Sequence, residues 1–282
     1  MITSHSFRSM GTDIELLVDA DGADRALDAA EAEFHRLDAS LSRFRPASEL
    51  SRLNSAGAIA ASPDLLRITG LALAARTETD GRFDPTVHDA VVAAGYDRTF
   101  AEVAPNGPAV QPARCGGGVW VAGDATITLD RGVRLDFGGI GKGYAAERAA
   151  EILATAGPCL VNAGGDIAVR GGAWPIAVQT ADGSMTLELR TGGLATSGTD
   201  RRRWRRGGRV VHHLIDPTTG SPATADLVRT TVVAEDAVAA EVWATAFFLA
   251  GADAGEAEAN ARRLPTVLVP PRGRTVLAGG LR

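Results

Sequence analysis

Asp136-Phe137-Gly138-Gly139-Ile140-Gly141-Lys142-Gly143-Tyr144 lies where the texture of the chain changes. Before it the text is β-like, with strands predicted at Val119–Ala122, Thr126–Leu129 and Val133–Phe137 and short Gly-Asp and Arg-Gly turns between them. After it, an alanine-rich interval from Lys142 or Gly143 to about Ala156 predicts a helix. The order is therefore strand, glycines, lysine, helix. Glycines let a backbone approach a ligand closely, and the first turn of the helix offers free N–H groups to an anion. A lysine there adds a compact positive charge suited to phosphate. The spacing is not that of a P-loop, because no hydroxyl residue follows the lysine, and the dinucleotide Gly-x-Gly-x-x-Gly pattern does not occur. A tight turn packing helix on sheet remains the alternative.

Downstream, short strands are predicted at Cys159–Asn162, Ile167–Arg170, Ile176–Thr180, Thr186–Leu189 and Leu194–Thr196. Val210–Ile215, Val228–Ala234 and Thr266–Val269 follow, with a helix over Val238–Leu249. Upstream, Met10–Ala20 alternates as a strand. Leu27, Ala30, Phe34, Leu37 and Leu41 mark one face of a helix over Asp24–Ser42. A second helix over Leu65–Thr79 is punctuated by Ser62 as N-cap, Pro63 at its first position and Gly81 beyond its end. Residues 101–118, rich in Pro, Gly and Ala, read as a surface loop and the best candidate for an internal boundary. Strands come in runs instead of alternating with helices. The expectation is an α+β fold, with mixed or antiparallel sheets and packed helices, in one domain spanning residues 1–282.

A chain of 282 residues with 45% hydrophobic content can bury a sizeable core. Its formal net charge of -5 argues against nucleic acid as the main partner. The local exception is Arg201-Arg202-Arg203-Trp204-Arg205-Arg206, which could hold an anion or form a solvated loop or hairpin tip. Cys115 and Cys159 are too few and too far apart for a disulfide framework or a zinc site. Met1–Leu17 shows neither a leader pattern nor a lipobox-like cysteine, and no apolar run approaches the roughly 20 residues of a membrane helix. The expectation is a soluble, cytoplasmic protein without a membrane span. Of the 29 basic residues only Lys142 is lysine. A position that needs the smaller cation could not take arginine cheaply.

Three further constellations could carry chemistry. Asn162-Ala163-Gly164-Gly165-Asp166-Ile167 runs a strand end into paired glycines and an acid, and reads equally well as a hairpin turn. In His212-His213-Leu214-Ile215-Asp216-Pro217-Thr218-Thr219-Gly220, a tight turn after a strand would hold His213 fixed, a useful place for a general base. Adjacent histidines on a strand point to opposite faces, so at most one serves a given site. In Glu241-Val242-Trp243-Ala244-Thr245, Glu241 and Thr245 stand four apart and share a helix face. A carboxylate and a hydroxyl one turn apart suit a hard cation such as Mg²⁺. The alternative is a solvated Glu241 and a Thr245 bonded within its own helix.

Taken in order, these pieces resemble the ApbE family of FAD:protein FMN transferases from about Phe7 to Gly251. The resemblance is carried by Met10-Gly11-Thr12, Phe44 with Ser48–Asn54, Gly81–Val87, Leu135–Tyr144, Val161–Ile167, Ala195–Gly198, His213–Gly220 and Ala240–Ala246. It implies a T-shaped or two-lobed α+β fold that binds FAD, moves its FMN half onto a threonine of an acceptor protein and releases AMP. It further implies that Met10, Phe44, Asn54, Phe83, Asp84, Asp136, Lys142 and Ile215 hold FAD. Gly139 and Ala244 would offer carbonyls to Mg²⁺, Glu241 and Thr245 side-chain oxygens, and His213 would help deprotonate the threonine. One departure stands out, since Glu241 occupies a position where the family's pattern has aspartate. Hydrolysis of FAD to FMN and AMP at the same metal, or flavin delivery without turnover, are the competing readings.

Overall fold

The computed structural model describes residues 1–123, 125–224 and 226–281. The chain divides into two compact units. The first comprises Met1–Asp38, Ile140–Gly198 and Ala225–Arg282, and the second Ala39–Gly139 and Thr199–Thr224. Residues 101–118 lie inside the second unit.

The first unit is built on an eight-stranded sheet. Its strands, in spatial order, are Ile2–Ser9, Thr12–Asp19, Cys159–Ala163, Asp166–Thr180, Gly183–Gly198, Arg229–Ala234, Thr266–Val269 and Val276–Ala278. Every neighbouring pair is antiparallel. Period-two patterning sets the faces. Ile14, Leu16 and Val18 are buried while Asp13, Glu15 and Asp19 are exposed. One core gathers Leu160, Ile167, Val169, Trp174, Ile176, Leu194 and Val267. Burying each such aliphatic side chain stabilises the fold by about 1.5–3 kcal/mol. Helices Gly141–Leu153 and Ala237–Ala250 pack against strands and against each other, and Ala252–Arg262 packs beside the latter. The helix Asp24–Leu41 buries the face expected of it, Leu27, Ala30, Phe34, Leu37 and Leu41. The chain is α+β, as its strand runs predict.

Some boundaries differ from expectation. Ile167–Arg170 and Ile176–Thr180 are one strand, Asp166–Thr180, whose register shifts between Arg170 and Trp174. Thr186–Leu189 and Leu194–Thr196 likewise merge into Gly183–Gly198. Polar and glycine positions in these strands imitate turns in the sequence, but the partner strand continues alongside. The edge strand Ile2–Ser9, the helix Ala252–Arg262 and the strand Val276–Ala278 were not anticipated.

In the second unit, helices Glu49–Ala56, Pro63–Glu78 and His88–Ala93 accompany a small sheet in the order Ala58–Ala60, Thr126–Leu129, Val119–Val121. Ser62 accepts from Leu65 N and Pro63 opens the helix, as punctuated; such a cap stabilises by about 1 kcal/mol. Val133–Phe137 is not a strand. Its backbone is held instead by a side chain and a loop carbonyl, described below. The arginine run forms part of a hairpin, Arg203–Arg206 with Arg209–His212, in which Arg203 and Arg205 are exposed while Trp204 and Arg206 are buried. Trp204 is buried and donates to Ala94 O at 2.7 Å, and the Arg206 guanidinium donates to Ala104 O at 3.0 Å and Gly95 O at 3.1 Å. Trp204 joins Ala90, Val91, Ala94, Tyr96 and Ile215 in this unit's core. Among the described residues, no helix is long and apolar enough to cross a membrane.

Candidate functional site

In the first unit the glycine-rich stretch delivers Lys142 to the second position of helix Gly141–Leu153, after Ile140 as N-cap. A lysine there is opposed by the positive end of the helix dipole. Two buried carboxylates compensate. Lys142 Nζ contacts Asp166 Oδ2 at 2.5 Å and pairs closely with Glu241 Oε1. The other Glu241 oxygen accepts from Gly143 N at 2.8 Å, so the carboxylate also caps the start of the helix. Gly143 must be glycine for this approach, because a Cβ would fall 2.5 Å from the carbonyl oxygen of Ala237. Glu241 is 3% exposed. Burial pushes its carboxyl up to about 7, against the pull of Lys142 and with the help of Asp166.

Glu241 is carried by helix Ala237–Ala250, which Asp236 caps by accepting from Ala239 N at 2.7 Å. That helix is apolar nearly all round and its residues are largely buried, which fixes the carboxylate. Thr245 stands one turn further on. Its Oγ1 lies 2.9 Å from Ser197 Oγ, on strand Gly183–Gly198, instead of bonding back along its own helix. Ala244 is fully buried in mid-helix, where its carbonyl serves the helical ladder and keeps one lone pair for any other partner. Asp166 begins its strand after the two-residue turn Gly164-Gly165, both at positive φ, and Asn162 Oδ1 accepts from Gly165 N at 2.9 Å. Met10 sits at φ 49 in the tight turn between Ile2–Ser9 and Thr12–Asp19. The structure thus brings Lys142 and Glu241 together, and adds Asp166 and Ser197, to which sequence reasoning gave no role. Asp166 had a signal, an acid directly after Gly-Gly. Ser197 lay in Ala195–Gly198, one of the segments that carry the family resemblance, but with no role of its own.

The second unit holds the remaining predicted residues, and most are already engaged. Asn54 clasps the backbone of Leu135, its amide donating to Leu135 O at 2.8 Å and accepting from Leu135 N at 2.7 Å. Asp136 N donates to Pro85 O at 2.7 Å. Those bonds replace a strand ladder at Val133–Phe137. Asp136 accepts from Gly138 N at 2.6 Å and pairs with Arg43 Nε at 2.7 Å, both side chains nearly fully buried. The Arg43 guanidinium lies over the rings of Phe44 and Tyr96, 4.0 and 4.6 Å from their centroids. Asp84 accepts from Thr86 N and Oγ1 at 2.8 and 2.7 Å and pairs with Arg76 at 3.2 Å. Phe83 and Ile215 are buried, while Phe44 and Gly139 are half-buried.

The two histidines fall on different local structures, so the strand alternation expected of them does not apply. His212 ends its strand with Nε2 3.0 Å from Ala223 O, and burial lowers its pKa. His213 sits in the bend that follows. The turn after it forms as read, Asp216 Oδ1 accepting from Thr218 N at 2.8 Å and Asp216 O from Gly220 N at 2.8 Å.

The donor chemistry of the first unit fits a hard divalent cation. Glu241, Asp166, Thr245 and Ser197 are all oxygen donors, and one ammonium shared by two carboxylates leaves negative charge over. No cluster of three or more His, Cys, Asp or Glu suited to a metal occurs among the described residues, so protein carboxylates alone do not form a cage.

A model of the ApbE family matches residues 10–268. The FAD:protein FMN transferase of Salmonella typhimurium is 27% identical, over 94% of this chain and 83% of that protein. The Haemophilus influenzae protein of the same name is 28% identical, over 95% and 86%. A Klebsiella pneumoniae protein of that name is 30% identical, but the match spans only 52% of this chain and about half, 48%, of that one. An ApbE protein from Thermotoga maritima shares the fold with a TM-score of 0.88 at 24% identity, covering 99% of this chain and 97% of that one. A Vibrio cholerae flavin transferase ApbE does so at 0.78 and 22%, covering 99% and 98%. The chain belongs to the ApbE family, and the relatives that it matches over most of its length are transferases.

Proposed function

We propose that this chain is a magnesium-dependent FAD:protein FMN transferase that moves FMN from FAD to a threonine of an acceptor protein and releases AMP. The observation that carries the reading is the pairing of Lys142 with buried Glu241 at a helix start, in a chain whose matched relatives bear that name. In the first unit, Glu241 and Thr245 hold the cation with the Ala244 carbonyl, and Lys142 and Met10 contact FAD. In the second, Gly139 offers a carbonyl to the metal, and Phe44, Asn54, Phe83, Asp84, Asp136 and Ile215 serve FAD. Phe83 and Ile215 are buried, so theirs is chiefly a backbone or packing role.

The diphosphate of FAD repels an attacking oxygen. Magnesium, when bound, supplies charge that offsets this repulsion and the charge gathering on departing AMP. Lys142 brings its ammonium to the same phosphates. His213 takes the threonine proton as the hydroxyl oxygen bonds to the phosphorus of the FMN half and the bond to the AMP half breaks. Positioned bases of this kind contribute about 10²–10⁴-fold.

Following AMP in the presence of FAD and Mg²⁺, with and without an acceptor, tests the reading. AMP that appears only with acceptor, in step with labelled acceptor, is expected. AMP at full rate without acceptor would make the enzyme a pyrophosphatase instead.

A further inference from the structure

Asp166 is a buried carboxylate that the mechanism above does not use. Its Oδ2 lies 2.5 Å from Lys142 Nζ, which also pairs with Glu241. The hairpin does not need it. Gly164 and Gly165 supply the positive φ angles, and Asn162 satisfies Gly165 N. A neutral residue of the same size would serve the turn equally well.

A divalent cation taken up by Glu241 competes with Lys142 for the same carboxylate, because two cations at one oxygen repel. The neighbour of Lys142 then decides where the ammonium goes. We infer that Asp166 is a positioning residue: it retains Lys142 when Glu241 turns to a cation. The lysine then stays at the start of helix Gly141–Leu153, neither displacing the metal nor swinging into solvent. This rests on the metal role proposed for Glu241. It also gives a role to the one lysine in a chain otherwise limited to arginine, since a compact ammonium meets both carboxylates through a single atom.

The single lysine makes the test direct. Incorporating ¹³Cε-lysine during expression labels only Lys142 and leaves its ammonium unmodified. Spectra are recorded with MgCl₂ alone, without FAD or acceptor, for the wild type, Asp166→Asn and Asp166→Glu. In the wild type, Mg²⁺ should shift the Lys142 signal while its line stays broad, as for a held group. In Asp166→Asn the same addition should sharpen it to that of a mobile amine and raise the Mg²⁺ half-saturation about 10- to 100-fold, the usual cost of losing a metal site's outer support. Asp166→Glu should recover most of the wild-type response. Identical Mg²⁺ responses in wild type and Asp166→Asn would overturn the inference, and so would a wild-type signal that Mg²⁺ never moves. A transfer assay on the same wild-type sample tells the two readings apart. Labelled acceptor with an unmoved signal sinks only the inference, whereas no labelled acceptor counts against the function itself.

Discussion

Two glutamates in the first unit make nearly the same connection in opposite directions. Glu241, on helix Ala237–Ala250, accepts from Gly143 N at the start of helix Gly141–Leu153. Glu147, on helix Gly141–Leu153, accepts from Ala237 N at 2.7 Å at the start of helix Ala237–Ala250. Each helix therefore caps the other. The difference lies in the counter-charge. Glu147 pairs with Arg170, one carboxylate to one guanidinium, and the charges balance. Glu241 shares a single lysine with Asp166, and negative charge is left over. Burial raises the pKa of both glutamates, Glu241 to about 7. The balanced clasp is complete as it stands and serves structure. The unbalanced one is where the proposed function puts the cation and the chemistry.

Breaking each clasp should therefore damage different things. Glu241→Ala should cut the initial rate of acceptor labelling by about 10²–10³-fold, the scale of losing one electrostatic stabiliser, and remove its Mg²⁺ dependence. Glu147→Ala should instead cost about 3 kcal/mol in urea unfolding, the low end for a broken buried pair because Arg170 is partly exposed. Transfer per folded molecule should stay within a few-fold of wild type. Equal rate losses in the two variants would erase the distinction.

Gly143→Ala attacks both clasps at their meeting point. The added Cβ would lie 2.5 Å from Ala237 O, and overpacking of this kind costs about 1–3 kcal/mol. Unchanged stability would show that the helices part more easily than the packing implies. Lys142→Ala should weaken FAD binding about tenfold by fluorescence titration, equivalent to about 1.4 kcal/mol. Unchanged FAD affinity would remove the phosphate role.

The smallest effect concerns pH. Folded Glu147 keeps its proton to higher pH than it does in the unfolded chain, because burial raises its pKa. Its contribution to stability is greatest in acid, below the ordinary glutamate range, and is lost as pH rises through the raised folded value. Glu147→Gln removes this dependence. Urea midpoints taken from about pH 4 to 7 should shift against the wild type relative to Glu147→Gln as pH rises. A constant difference would contradict the assignment.

What the sequence reveals follows from how local each cause is. Ser62 and Pro63 mark a helix start through their own backbones, and Leu27 to Leu41 mark a face by spacing, so both were legible. The Lys142 stretch and the Glu241–Thr245 helix face were legible for the same reason. Val133–Phe137 looked like a strand because its composition is β-like. Its actual partners, Asn54 and Pro85, are fixed only by tertiary structure. Asp166 and Ser197 lay in segments singled out by sequence, but their roles were not legible, since hydrogen-bonding and ionic partners on other elements define them. Asp136 also has a local role that its sequence did not announce. A residue expected to face a ligand forms a buried ion pair that also organises its own turn.

The most direct test is intact mass of an authentic acceptor after incubation with FAD and Mg²⁺, using wild type, Glu241→Ala and Glu147→Ala side by side. The unbalanced clasp as reaction centre predicts an acceptor heavier by one FMN with wild type and Glu147→Ala, and almost none with Glu241→Ala. An acceptor labelled as fast by Glu241→Ala as by wild type would contradict it.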